Sequence, residues 1–429
     1  MARVRLYGGL NAQVRGRAID EAFLAEAPSA VLLMPTRGAA RARMEAFLRE
    51  GKVPGFWGRP VLTFEDFVTE LLEAQRPGFR RLEPVEKRLL LEELLAATSE
   101  REEHPAPLDP SNRGLVSHME RLAAQLKEAA VEPEDFRRRL AQRRHASPLD
   151  SALADVYAAY QEALITGELY DQQGLYWEAH AMCKRGRPAG LTTVRHVLLD
   201  GFDDFTPSEF RLLESLAPHL ETLVFACAVS LSQQQDPENG ELTERTLARL
   251  RQAFDPKIED LGDGVPTTQG AFAARHVFDQ SPEAPYAEAQ RLEANLTVRA
   301  YPDPASEFEA VGRSVKQLIV DQGVAPQDIA ILAPRLRGAA SVMESQLSEY
   351  GIPYRMMHRP PVSESSLGAF LMTLLACAQR WRREEVLDVL MAPWFQSGEE
   401  ARELLEPAPV LALTRSVRPA TACRTRCSF

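Results

Sequence analysis

One stretch constrains the fold of this chain more than any other: His196-Val-Leu-Leu-Asp-Gly-Phe-Asp-Asp-Phe-Thr-Pro-Ser-Glu209. Val197, Leu198 and Leu199 make the short apolar run that a fully buried strand needs. Asp200 stands at its carboxyl end, Gly201 permits a turn, and Thr206-Pro207 is a helix-start signal. In open α/β sheets, ligands sit outside the carboxyl ends of the strands. An acid delivered there can hold a Mg²⁺-bound phosphate, and in ATPases a neighbouring side chain orients the attacking water. Here that neighbour is Gly201, so the strand has the form of a nucleotide-hydrolysis strand without its base.

The start of the chain is where a phosphate loop belongs in such a fold. Val4-Arg5-Leu6-Tyr7 reads as a strand, Gly8-Gly9 follow, and a helix is expected from about Arg17. The pattern G-x-x-x-x-G-K-[ST] is not met. Counted from Gly8, its closing positions hold Gln13, Val14 and Arg15; counted from Gly9, they hold Val14, Arg15 and Gly16. Without the lysine and the hydroxyl, ATP and Mg²⁺ lose their main partners. Gly8, Gly9 and Asp200 therefore form a degenerate nucleotide site, although an ordinary strand-to-helix turn explains both glycines equally well.

Two further strand ends carry nucleic-acid contact candidates. Ala30–Met34 is an apolar strand ending at Pro35-Thr36-Arg37, with a helix through Leu48. Thr36 is placed to cap that helix, whose first-turn N–H groups face any backbone phosphate, and Arg37 adds charge. Pro60-Val61-Leu62 leads into Thr63-Phe64-Glu65-Asp66-Phe67, which joins a hydroxyl to two aromatics. Taken singly, Thr36 is a cap and Phe64 is core; their order in sequence makes Thr36, Arg37, Thr63 and Phe64 a candidate nucleic-acid set. The formal charge of −11 excludes a protein that coats nucleic acid by bulk charge, so any such contact is local.

The chain's 429 residues, 45% of them hydrophobic, predict two or three packed domains. Residues 1–82 hold the first part of an α/β domain, and residues 83–190 turn helical with a period near 3.6. Residues 191–285 return to that domain and a loop-rich connection. Residues 286–395 begin a second α/β unit, with strands expected at Leu296–Tyr301, Asp328–Ala333 and Ile352–Met356. Arg137-Arg138-Arg139 and Arg143-Arg144-His145 read as a solvated helix face or a channel lining. Five scattered cysteines, no signal-peptide core and no apolar run of membrane length point to a cytoplasmic protein without membrane contact.

Taken together, the chain resembles the N-terminal part of the B subunit of bacterial AddAB-type (RexAB-type) helicase-nucleases. The residues that carry the resemblance are Leu199-Asp-Gly-Phe-Asp-Asp-Phe-Thr-Pro-Ser-Glu209 and the segment Glu307 to Phe395. The latter contains Asp328-Ile-Ala-Ile-Leu332, Tyr350-Gly-Ile-Pro-Tyr354, Arg359-Pro-Pro-Val-Ser-Glu364 and Ala392-Pro-Trp-Phe395. The resemblance implies RecA-like (P-loop NTPase-like) parallel-sheet domains with a large helical insertion, derived from an inactivated superfamily 1 helicase. Asp200 then matches a Mg²⁺ ligand, Gly201 replaces the catalytic glutamate, and Thr63-Phe-Glu-Asp-Phe67 resembles a DNA-contacting segment. Thr36 falls where a hydroxyl meets the DNA backbone, and Arg335 lies near a phosphate-sensing arginine.

The resemblance also implies a function and partners: a DNA-binding subunit without catalysis, working beside an AddA-type helicase-nuclease subunit on single- and double-stranded DNA in double-strand break repair and recombination. ATP, Mg²⁺ and an iron-sulfur cluster belong to the family's complex. The residues present support none of them, and the cluster sits in a nuclease domain that this chain does not contain. Cys423 and Cys427 have C-x₃-C spacing without nearby His, which is weak for zinc. Residues 396–429 are atypical, Arg/Thr/Pro-rich, and read as a disordered tail of a truncated or frame-shifted product. The competing readings are an active ATP-dependent helicase or exonuclease subunit and a scaffold with no nucleic-acid role.

Overall fold

Strand-length apolar runs, each returned by a helix, build one parallel sheet in the computed structural model. It describes residues 2–99, 108–109, 111–143, 147–229, 237–262, 264, 268–276, 295–333, 339–356, 361–392 and 394. The first strands and helices are β1 (Arg3–Gly8), α1 (Ala12–Ala25), β2 (Ala30–Met34), α2 (Arg37–Arg49), β3 (Val61–Thr63) and α3 (Phe64–Gln75). A short β4 (Arg80–Arg81) precedes α4 (Pro84–Ser99), α5 (Arg113–Glu128), α6 (Pro133–Ala141) and α7 (Pro148–Thr166). Then come β5 (Leu169–Tyr170), α8 (Gln172–Arg185), β6 (His196–Asp200), α9 (Pro207–Leu216) and β7 (Thr222–Cys227). The unit continues with α10 (Pro237–Phe254), β8 (Lys257–Asp260) and α11 (Gln269–His276).

The sheet order is β3-β2-β6-β7-β1-β8, and every neighbouring pair is parallel. β2, β6 and β7 are buried at every position because helices cover both faces. Alternation along the strands divides the core. Leu33, Leu199 and Phe225 stand in register and pack with α3, α8 and α9. Leu32, Leu198 and Val224, one residue earlier, face α1 and α2 through Ile19, Phe23 and Phe47. This is the α/β parallel-sheet class that the sequence predicts, consistent with a RecA-like fold. The strand carrying Gly8 and the strand carrying Asp200 lie on either side of β7, so their carboxyl ends open onto one edge.

The helical segment has its own core, in which Leu91, Leu95, Val116, Met119, Tyr157 and Tyr160 from α4, α5 and α7 meet. A two-stranded ladder, Arg80–Arg81 with Leu169–Tyr170, closes its neck. α8 leaves that core and packs Leu175, Ala179, Met182 and Cys183 onto the sheet.

Three local readings are corrected. α1 begins at Ala12 rather than near Arg17, because Asn11 accepts from Gln13 N and Val14 N and starts the helix early. The connection expected to be loop-rich carries α10 and an added edge strand, β8, beside β1. Its Gln, Pro and charge content masks a buried stripe at Thr246, Leu247 and Leu250. Among the described residues, the strands expected at 296–301, 328–333 and 352–356 make no ladder; Val298 is 86% and Leu332 93% exposed. Apolar alternation confers propensity only, and a strand also needs a neighbour for its N–H and C=O groups.

Residues Thr297–Phe429 form a second unit. Helices Pro304–Val320 and Ala340–Glu349 share a small core of Val315, Met343, Leu347 and Ile352, and helices Ser366–Arg380 and Arg383–Met391 follow. Arg144, His145, Arg335, Arg359, Phe395, Cys423, Cys427 and the tail 396–429 lie outside the described residues. Among those described, no helix is long and apolar enough to cross a membrane.

Candidate nucleic-acid interface and degenerate nucleotide site

At the carboxyl edge of β1 there is no room for a phosphate-wrapping loop. Only Gly9 and Leu10 separate β1 from Asn11, and the side-chain carbonyl oxygen of Asn11 takes the Gln13 and Val14 N–H groups at 3.1 and 3.2 Å. Those are donors that a phosphate would need. A Cβ on Gly9 would meet Gly262 O at 2.6 Å, so the chain after β8 closes over the same turn. Arg15 Nη1 donates back to Gly9 O at 2.6 Å. Gly9 therefore serves close backbone approach, while Gly8 is the last ladder residue of β1, opposite Cys227 and Asp260.

Asp200 is buried at the end of β6, and its carboxylate already has a cation. Arg43, from α2, donates through Nη2 to Asp200 Oδ2 at 2.5 Å and through Nη1 to Asp20 Oδ1 of α1 at 2.7 Å. Lys52 stands 3.4 Å from the other Asp20 oxygen. Burial pushes the Asp20 carboxyl up against the pull of Arg43 and Lys52. Gly201 has φ +81°, and a Cβ there would lie 3.3 Å from the Pro35 ring, so its backbone accounts for the missing glutamate position. Asp204 is engaged elsewhere: Thr246 Oγ1 donates to it at 3.0 Å. Mg²⁺ with a triphosphate does not fit these residues, since the acid is covered by a guanidinium and the hydroxyl and lysine are not supplied. Among the described residues no group of three or more His, Cys, Asp and Glu could hold a metal ion.

The four nucleic-acid candidates come together. Thr36, Arg37, Thr63 and Phe64 line one cleft of about 970 Å³ between the carboxyl edge of the sheet and the helical insertion. Two helices begin in it, α2 capped by Thr36, which accepts from Ala39 N at 3.1 Å, and α3 capped by Thr63, which accepts from Asp66 N at 3.1 Å. Arg37 is largely exposed and forks onto Asp66 through Nε and Nη2 at 3.2 and 2.8 Å. Burial, the largest influence on Asp66, pushes its carboxyl up; the hydrogen bonds from Arg37 and Thr63 outweigh it and hold the carboxyl below its ordinary value. Phe64 is buried and meets Tyr176 and Phe202 edge-on.

Sequence reasoning missed several cleft residues. Tyr176, which the sequence assigns to core packing before base stacking, lines the same space, and so do Arg81 from β4, Lys87 from α4 and Phe202. Nothing local marks them, because the cleft exists only once the insertion folds back on the sheet. Arg43 is likewise invisible, standing 157 residues from Asp200. The arginine run of α6 does not line the cleft: Arg137 pairs with Asp155 at 2.6 Å and Arg138 with Asp135, on a solvated face. Five carboxylates, of Glu65, Glu83, Glu120, Asp171 and Glu209, face three cations, of Arg37, Arg81 and Lys87, around the cleft.

Residues 21–268 match the family model described as ADDB, N-terminal. The chain is similar to the B subunit of the ATP-dependent helicase/deoxyribonuclease of Bacillus subtilis (strain 168), 28% identical over 298 residues, covering 64% of this chain and 24% of that protein. The protein of the same name from Bacillus velezensis is 26% identical over 318 residues, covering 68% and 27%. That from Anoxybacillus flavithermus is 23% identical over 300 residues, covering 66% and 26%. The chain spans about a quarter of the length of these relatives.

Proposed function

The chain belongs to the ADDB N-terminal family, and from that membership we propose that it is a helicase-like module that binds DNA without hydrolysing ATP, within the B subunit of a helicase-nuclease complex. Its setting is cytoplasmic repair and recombination at double-strand breaks, beside an AddA-type subunit.

The observation that carries this reading is a contrast at one sheet edge. The positions expected to touch DNA converge on a single cleft, while the positions expected to handle triphosphate are closed by Asn11, Arg15 and Arg43. A single strand entering the cleft would set phosphates against the N-termini of α2 and α3, whose first-turn donors lack helical partners. Arg37 would exchange Asp66 for a phosphate, and Phe202 and Tyr176 offer aromatic surface to bases.

The test is fluorescence anisotropy with a single-stranded oligonucleotide at low salt, run beside an assay for DNA-stimulated ATP hydrolysis. Salt-sensitive binding that weakens in Thr36→Ala and Arg37→Ala, with no turnover, is expected. ATP hydrolysis lost in Asp200→Asn would establish the active-helicase reading instead. No DNA affinity, with or without the companion subunit, would leave the scaffold reading.

A further inference from the structure

Arg43 holds the position that decides what the Asp200 carboxylate can bind. Its planar guanidinium spends one nitrogen on Asp20 from α1 and another on Asp200 from β6, so two largely buried carboxylates converge on one cation. Lys52 stands 3.4 Å from the second Asp20 oxygen but pairs more closely with Glu50, at 2.8 Å, so Arg43 is the main cation of the two buried carboxylates. We propose that Arg43 is the resident cation of this edge, standing where a nucleotide-bound divalent metal would stand and closing Asp200 to it.

Charge and ligand chemistry support this. A divalent ion entering beside the intact Arg43 would set two further positive charges next to a guanidinium and an ammonium in a poorly hydrated place. With Arg43 truncated, the oxygens of Asp20 and Asp200 face the space that it vacated. Carboxylate oxygens at such a site suit Mg²⁺ or Mn²⁺. The inference deepens the reading of a module without hydrolysis and rests on that reading only for the metal's role. Its test uses no nucleic acid and no nucleotide, so it stands or falls separately from DNA binding.

The full chain is melted in EDTA and in Mg²⁺ or Mn²⁺ at matched ionic strength, and Mn²⁺ binding is followed by electron paramagnetic resonance. The parent is expected to bind no Mn²⁺ through Asp200 and to melt alike in both buffers. Arg43→Ala should melt roughly 5–10 °C lower in EDTA, because two buried charges lose their partner, and should regain at least half of that with the metal. Arg43→Ala/Asp200→Asn should show no metal response. Arg43→Gln, which keeps volume and hydrogen-bonding capacity without charge, replaces Arg43→Ala if the alanine variant is insoluble. Mn²⁺ held by the parent in an Asp200-dependent way would overturn the proposal, and so would folded variants that ignore the metal.

Discussion

Replacing Lys127 with Met tests whether charge pairing joins the helical insertion to the sheet. Lys127 stands in the last turn of α5, is 1% exposed, and donates to Asp171 Oδ1 at 2.6 Å. Asp171 also accepts from Tyr160 Oη at 3.0 Å and from Gly174 N at 2.7 Å, where it caps α8. Burial weighs most on Asp171 and opposes its charge, but the Lys127 ammonium, with the Lys87 charge and the Gly174 N–H behind it, outweighs it, and the carboxyl is held below its usual range. Removing one partner of a buried pair costs about 3–5 kcal/mol. Asp171 has an escape, since it can take up a proton. At pH 7 that costs about 1.4 kcal/mol for each of about 3 units above the unfolded value near 3.9, or about 4 kcal/mol; at pH 5 it costs only about 1.5 kcal/mol.

The parent behaves differently over the same window. A depressed carboxyl contributes stability that is present above its unfolded pKa and lost only as the pH falls through the folded one, so nothing is lost between pH 7 and pH 5. The gap between parent and Lys127→Met should therefore narrow on acidification by about 2–3 kcal/mol. Glu132, raised by burial and also facing Lys127, shifts the variant in the same direction. Urea unfolding followed by circular dichroism at the two pH values measures the gap. An equal gap at both, or one below about 1 kcal/mol at pH 7, would refute the view that this pair carries the junction.

Asn11→Ala should cost about 1 kcal/mol by uncapping α1, seen as a lower urea midpoint, and should create no ATP affinity by calorimetry, since the connection stays two residues long. Gly201→Ala should cost about 1–3 kcal/mol, because φ is +81° and Pro35 stands at 3.3 Å. Gly201→Glu should be at least as unstable and should not hydrolyse ATP in a phosphate-release assay, because Arg43 still covers Asp200.

The sheet was legible because its strands are buried on both faces and so read as unbroken apolar runs. Ala30–Met34, His196–Asp200 and Thr222–Cys227 could be little else. The caps at Thr36 and Thr206 were legible because a hydroxyl before a helical period is a local signal. β8 was not, since an edge strand reading Lys257-Ile-Glu-Asp260, with Lys257 and Asp260 exposed, has no apolar run to announce it. Arg43 and Lys127 were hidden for another reason. A charged residue in a helical pattern reads as solvated face, and only the arrival of Asp200 or Asp171 from far along the chain makes it the partner of a buried carboxylate. The two-sided character of the cleft was hidden likewise, because Arg81 and Lys87 belong to a segment whose pattern says only helix or neck.

That mixed lining sets a limit on how DNA can be held. Among the described residues only Arg37, Arg81 and Lys87 bring positive charge to the cleft, and two of them are already engaged, Arg37 with Asp66 and Arg81 with Glu65 at 2.6 Å. Each cation that reaches a phosphate of a single strand contributes about −0.7 to the slope of log affinity against log salt, so three contribute at most about −2. Exchanging a carboxylate for a phosphate returns part of the gain, which makes the remaining affinity depend on helix N-termini and aromatic surface. Arg37→Ala should therefore flatten the slope by about 0.7 while costing the fold less than about 1 kcal/mol, since the Arg37–Asp66 pair is exposed on the arginine side. Anisotropy titrations across a salt series measure the slope, and urea unfolding measures the cost to the fold. A slope near −5 that ignores Arg37→Ala would mean that the strand lies on a different and more basic surface, and the cleft would lose its role.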